Sequence, residues 1–296
     1  MSRDNNNELK YTVNTDSNQT SEGQNENDIA ETSPKTNKSF WLAVMFTSVL
    51  IILVCSIIIA MQFTSKDYSK IGYRTPESNT EQSPDHTVQI EDSSEVLIDN
   101  PIDFDKLEEL NTEIYAWITI PNTSIDYAVV QAGPEHDDFF YLNHNLEGNY
   151  EFAGSIYSEK QNALDFSDPV TLIYGHNMLN GTMFADLHMF SDSEFFKKNK
   201  YFYIYTKGHK LTYYIYASYI YDNRHILNSF DFSNEEDLKE YFDSTINPIS
   251  MYRNVRKNFE LDLTDKVVTL STCTKDGSKS TRYLVQGVLK KDERTK

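Results

Sequence analysis

The sequence predicts a mainly β domain with helical insertions, its strands closing fully or nearly so into a β-barrel. Three observations carry this. Short runs of β-branched and aromatic residues recur between turn signals, helical periodicity is confined to a few segments, and no glycine-rich nucleotide-binding loop follows any strand pattern. The chain of 296 residues holds 20 Tyr and 17 Phe, side chains that suit a pleated, half-wet surface. Its formal net charge is −18, and no basic patch interrupts the acidic balance, which argues against nucleic acid as a partner.

Residues 1–39 are rich in Asn, Ser, Thr and acids and cannot bury enough apolar surface to offset ordering entropy, so a disordered tail is expected. Residues 40–63 form an apolar run without a charge, with Val49-Leu50-Ile51-Ile52-Leu53-Val54 at its centre. About 20 such residues cross a bilayer, and Trp41 near one end suits an interfacial anchor. The run reads as an uncleaved transmembrane anchor, a cleaved signal peptide being the alternative. Lys35 and Lys38 precede it while Lys66, Lys70 and Arg74 follow, so flanking cations leave its orientation open. Residues 64–99 are polar, with Pro76 and Pro84, and read as a flexible tether to a folded domain over 100–296.

Within that domain, Asn100-Pro101 ahead of Phe104, Leu107 and Leu110 predicts a short helix with proline at its start. Residues 116–120 and 125–130 read as strands about the turn Pro121-Asn122-Thr123, and Gly154-Ser155-Ile156-Tyr157 as another. Residues 170–174 form a strand that stops at Gly175-His176-Asn177, and 184–190 a short helix beyond it. Residues 201–205 and 210–221 form a hairpin across Lys207-Gly208-His209. Ser233-Asn234-Glu235-Glu236 opens a helix that carries Leu238, Tyr241, Phe242 and Ile246 on one face and ends at Asn247-Pro248. Last come the apolar run Val267 to Cys273 and, after a polar loop, Thr281 to Leu289.

The two cysteines are Cys55, inside the apolar run, and Cys273, so no intramolecular disulfide is expected. Cys273 sits at a strand end, where a rigid scaffold hands over to a loop. A lone thiol there invites a functional explanation, against the plainer reading of a small buried hydrophobe. Arg282 turns back beside it, and a cation near a thiol favours thiolate or a developing oxyanion. Counting residues 274–280 as the loop puts Thr281, not Arg282, opposite Cys273, so a bulge or frayed end would be needed to bring Arg282 there. His176 follows its strand directly, and Gly175 lets the backbone approach closely or take an unusual angle. An imidazole and a thiol at neighbouring strand ends make a nucleophile and a general acid/base; the alternative is a hydrogen-bonded loop histidine. The other histidines, His188 and His225 among them, have no comparable setting. No cofactor is expected, and no His/Cys/Asp/Glu group has metal-ligand spacing.

Thr269-Leu270-Ser271-Thr272-Cys273 with Arg282, and the upstream Tyr174-Gly175-His176-Asn177, resemble the sortases, membrane-anchored cysteine transpeptidases of Gram-positive bacteria. The resemblance to class B spans about residues 104–290 and takes in Trp117-Ile118, Ile125-Asp126-Tyr127 and the helix inserted before the cysteine strand. Ala128 departs from it, standing where that class usually has proline. The resemblance implies a sortase-type closed barrel of about eight strands. It implies Cys273 as nucleophile, His176 as general acid/base, and Arg282 steadying the oxyanion or substrate backbone; Ser271 and Leu142 would line the peptide groove. Its partners would be the sorting-signal peptide of surface proteins and a peptidoglycan cross-bridge amine. The catalytic domain would lie outside the cell on a single-pass anchor.

Two other readings stay open. A plain cysteine peptidase would differ only in letting water resolve the thioacyl enzyme. A non-enzymatic surface ectodomain would need neither the thiol nor the His and Arg, and a wall-anchored one is expected to carry a C-terminal sorting motif, whereas this chain ends Lys290-Lys291-Asp292-Glu293-Arg294-Thr295-Lys296.

Overall fold

The computed structural model describes residues 38–63, 68–74 and 97–296, so of the tail expected over 1–39 residues 1–37 lie outside the described residues, while Lys38 and Ser39 belong to the first helix. Helix α1 (Lys38–Phe63) carries no charged residue after Lys38, and its apolar side chains, Phe46 and Ile52 among them, are exposed. Thr47, Ser48 and Ser56 each donate to a carbonyl of the preceding turn, so these polar groups are satisfied within the helix, as hydrocarbon requires. The helix is long and apolar enough to cross a membrane.

The short helix α2 (Ser69–Gly72) and Tyr73 lie within the stretch expected to be tether, yet they pack on the domain. Gly72 is buried so close to Trp117 that a Cβ there would meet the indole at 2.3 Å. Tyr73 crosses the same ring edge-on at 5.8 Å, and its hydroxyl and the indole N–H both donate to Asp126 Oδ1, at 2.8 and 2.7 Å. Backbone bonds from Asp103 N–H to Gly72 O and from Arg74 N–H to Pro101 O complete the seam. A tether running unbroken over 64–99 is therefore corrected for residues 68–74, whose meaning depends on a tryptophan far along the chain. A chain beginning at residue 100 loses this cap and is expected to be less stable than one beginning at residue 66 by about 2–3 kcal/mol in urea unfolding. Equal midpoints would show that the cap carries no weight.

Helix α3 (Phe104–Leu110) is capped by Asp103, whose side chain accepts from Lys106 N–H, rather than started by Pro101. The strands follow: β1 (Ile114–Thr119), β2 (Asp126–Gln131), β3 (Ile156–Ser158) and β4 (Val170–Tyr174). A 3₁₀ segment (Ala185–Ser191) stands where a short helix is expected, and helix α4 (Ser193–Lys198) follows it. Next come β5 (Tyr201–Thr206), β6 (His209–Asp222), helix α5 (Ile226–Ser229), helix α6 (Glu235–Ile246), β7 (Arg253–Val255), β8 (Val267–Cys273) and β9 (Thr281–Arg294). Among the described residues eight strands close in the order β5-β1-β2-β3-β4-β8-β9-β6 and back to β5, with β7 appended to β6. The expected closed barrel is present.

Most neighbours are antiparallel, but β2–β3 and β4–β8 run parallel. The latter pairing is what brings two strand ends to one place. Ile118, Val129, Ile173, Phe202, Leu270 and Val285 fill the barrel interior. Helix α6 starts with Asn234 accepting from the N–H groups of Glu236 and Asp237, which satisfies two orphan donors. Its Leu238, Tyr241 and Phe242 pack on a second cluster outside the barrel with Leu172, Val267 and Leu284. Beneath it a buried polar chain runs from Tyr241 to Thr269, from Thr269 to Gln286 and from Gln286 to Tyr219. It fixes the inserted helix to the middle of β8.

Candidate active site

Cys273 is the last residue of β8. The ladder with β9 runs without a break from Val267↔Val288 to Cys273↔Arg282, so Arg282, not Thr281, stands opposite the cysteine and no bulge is needed. The expected offset arose from counting Thr274 into the loop. Its hydroxyl instead meets that of Thr281 at 2.9 Å, which leaves residues 275–280 as the loop. Directly paired antiparallel residues project from the same face, so Cys273 and Arg282 share one.

Across the other edge, Tyr174 pairs with Ser271. Gly175 N–H donates to Ser271 O at 3.1 Å, and Thr272 Oγ1 donates to Gly175 O at 2.8 Å. His176 is thereby carried forward to the level of Cys273. Gly175 has no positive φ. Space explains it: a Cβ would fall 2.5 Å from Ile156 Cδ1 and 2.7 Å from the Phe184 ring. Cys273, His176, Arg282, Ser271 and Leu142 all line one cavity of about 220 Å³. The structure thus brings together every site residue expected from the sequence.

His176 Nε2–H donates to the Leu142 carbonyl at 2.8 Å, and its ring lies parallel to Phe152 at 6.0 Å. That bond fixes the tautomer and leaves Nδ1 as the basic nitrogen. Leu142 therefore orients the imidazole as well as lining the cleft. Arg282 donates to the carbonyls of Thr281 and Lys279, at 2.8 and 3.4 Å, so its guanidinium is held by the loop it closes.

Two histidines set aside in the sequence take part. His188 Nε2–H donates to the Cys273 carbonyl at 2.9 Å and its ring tilts on Tyr283 at 4.6 Å. His225 lines the cavity and donates to the buried Glu159. Neither has a local signal, because each partner is remote in the chain.

Burial pushes His176 and His188 below the ordinary 6.5, while the carbonyl each one meets acts the other way. Both rings are neutral at pH 7. As pH falls through about 6.5 the unfolded chain takes up protons that the folded chain refuses, so their contribution is complete above 6.5 and is lost on acidification. The melting temperature is expected to drop between about pH 7 and pH 5.5, and His188→Gln to flatten that slope. An unchanged slope would show that His188 titrates alike in both states.

A family model described as the sortase domain matches residues 118–290, more than half of the chain. The chain belongs to the sortase family. Sortase B of Listeria monocytogenes is 34% identical over 187 residues, 62% of this chain and 72% of the relative. The X-ray structure of Clostridium perfringens sortase B is 32% identical with a TM-score of 0.57, covering 64% of this chain and 100% of that one. A Staphylococcus aureus sortase B–substrate complex is 27% identical with a TM-score of 0.56, covering 64% and 84%. These relatives make this sortase a class B member and a cysteine transpeptidase. The region matched lies within the span over which the motifs resemble that class.

Proposed function

We propose that this sortase cleaves a sorting signal near the C-terminus of exported proteins and joins them to a cell-wall amine, with Cys273, His176 and Arg282 as the catalytic residues. The observation that carries the reading is their meeting at one level of one cleft, on β8, just beyond β4, and on β9. A neutral imidazole with Nδ1 free can take the thiol proton as sulfur attacks the scissile carbonyl, and return it to the leaving amine. The C–N bond breaks as the C–S bond of the thioacyl enzyme is made. An incoming amine then reverses the sequence: it attacks the thioester, His176 takes its proton, and the thiolate leaves. The acyl energy is conserved without a nucleotide.

Arg282 is placed to hold the carbonyl oxygen as it gains charge, since its fork of donors suits a planar oxygen site. Ser271 and Leu142 line the path of the peptide. That a Staphylococcus aureus relative is known as a sortase B–substrate complex supports a substrate-binding role for this cleft. Helix α1 serves as a single-pass anchor, with the barrel outside the cell where exported proteins emerge.

The test is product analysis by mass spectrometry after a peptide library is incubated with the full chain, with and without added triglycine as the amine. Cleavage with peptide–triglycine adducts supports transpeptidation. Hydrolysed product alone in both arms would turn the reading into a peptidase, and no cleavage of any peptide would remove the reading.

A further inference from the structure

We propose that Glu159 and His225 form a latch that sets the width of the cleft, which makes Glu159 a positioning residue for substrate. Glu159 follows β3 and is 2% exposed. Its backbone is held on the barrel, its carbonyl accepting from Gln131 Nε2 and from Asn162 N–H, each at 2.9 Å. Its carboxylate faces His225 Nε2–H, 2.8 Å from either oxygen. His225 stands just before α5, its side chain making no bond to the helix start, within residues 221–226, a segment that lines the cavity around Cys273 and Arg282. Tyr221 and Asp222 are fixed in the β6–β9 ladder and Ile226 is buried in the second cluster. The part free to move is therefore residues 223–225, whose other inter-element tie is the exposed bond from Asn223 to the Lys279 carbonyl at 3.2 Å. Among the described side-chain bonds of residues 223–225, the one that reaches a buried group across the cleft is the bond from His225 to Glu159.

The chemistry of the pair suits a latch. A buried carboxylate needs a donor, and the bond to His225 supplies it. Yet His225 Nδ1 is buried without a hydrogen-bond partner. An unsatisfied ring nitrogen takes back part of what the bond to Glu159 gives, and swinging the ring outward would let water satisfy it. Between its two fixed ends the wall at His225 is therefore held by one strong bond and opposed by one missing bond. That balance allows opening for an extended peptide and closure around it. Glu159 lies near enough to Tyr157 and Tyr174 to add to the burial that pushes both phenols upward, so the post of the latch stands against residues that also line the cleft. The latch rests on the proposed peptide-processing role only for what passes through the cleft; its effect on access does not depend on it.

The experiment uses the full chain in detergent micelles with Cys55→Ser as background, so that Cys273 is the one thiol. Its rate of modification by methyl methanethiosulfonate is compared with that of a bulky dansyl methanethiosulfonate, by mass spectrometry. The parent is expected to favour the small reagent. Glu159→Ala and His225→Ala should each lift the bulky reagent's relative rate by about tenfold, the change of population that losing one charge-assisted bond brings. Their double variant should go no further than the larger single effect, and Glu159→Gln, which still accepts from Nε2–H but without the charge, should fall between the parent and Glu159→Ala. On the best-cleaved library peptide, Glu159→Ala should raise KM by about fivefold with kcat within about threefold. Unchanged size preference in both single variants, or additive effects in the double, would overturn the latch. If Glu159→Ala does not fold, His225→Ala against Glu159→Gln decides by the same measurement, because His225 is 29% exposed and lies on a surface segment. Loss of size preference with no peptide cleaved by the parent would keep the latch and remove the sorting reading.

Discussion

Cys273→Ala is expected to abolish turnover of a sorting peptide while the barrel stays folded. Without sulfur no thioacyl enzyme can form, and removal of a nucleophile of this kind costs about 10⁴-fold or more in kcat. The stability change should be no more than about 2 kcal/mol, because the thiol is partly exposed at a strand end and not in the barrel interior. The ladder of β8 and β9 uses backbone groups that alanine retains. The measurement is single-turnover cleavage beside circular dichroism of the same sample. Turnover above about a hundredth of the parent's would remove Cys273 from the mechanism.

The second large effect is expected from Arg282→Lys, which keeps the charge and should still lose activity. Arg282 stands directly opposite Cys273, and its guanidinium is anchored by two carbonyls of the closing loop. With Nη1 so held, its remaining donors are presented from a fixed position on the face that Cys273 shares. A lysine offers a mobile point charge in place of paired donors. Losing one oxyanion contact typically costs about 10²–10³ in rate. We expect kcat/KM for both Arg282→Lys and Arg282→Ala to fall into that range on one fluorogenic peptide. A lysine variant within a few-fold of the parent would leave only electrostatics for Arg282.

Much of this site is legible in the sequence. The runs Val170 to Tyr174 and Val267 to Cys273 are apolar, β-branched and sharply bounded by polar residues, so their ends can be located. Chemistry placed at a strand end can then be found by looking just past each run. Register is harder, since it turns on whether a threonine at the mouth of a loop pairs or not. Thr274 and Thr281 are polar and read as loop, yet they face one another across the hairpin. The cap over Trp117 is harder still. Ile71 and Tyr73 are isolated apolar residues in a polar stretch, and only the folded barrel shows the ring they cover. His188 and His225 are unreadable for the same reason: a carbonyl and a carboxylate 85 and 66 positions away define them.

The bond from His188 to the carbonyl of Cys273 has a consequence for evolvability. The cysteine's backbone is pinned from beneath, its neighbours are paired on both flanks, and the threonines beyond it close the hairpin. What lies outside that closure, residues 275–280, is a spacer whose length and composition can drift without disturbing the aim of the sulfur. Insertions and exchanges can therefore accumulate at that one hairpin tip with the sulfur's aim retained, provided a carbonyl stays within reach of Arg282 where Lys279 now offers one.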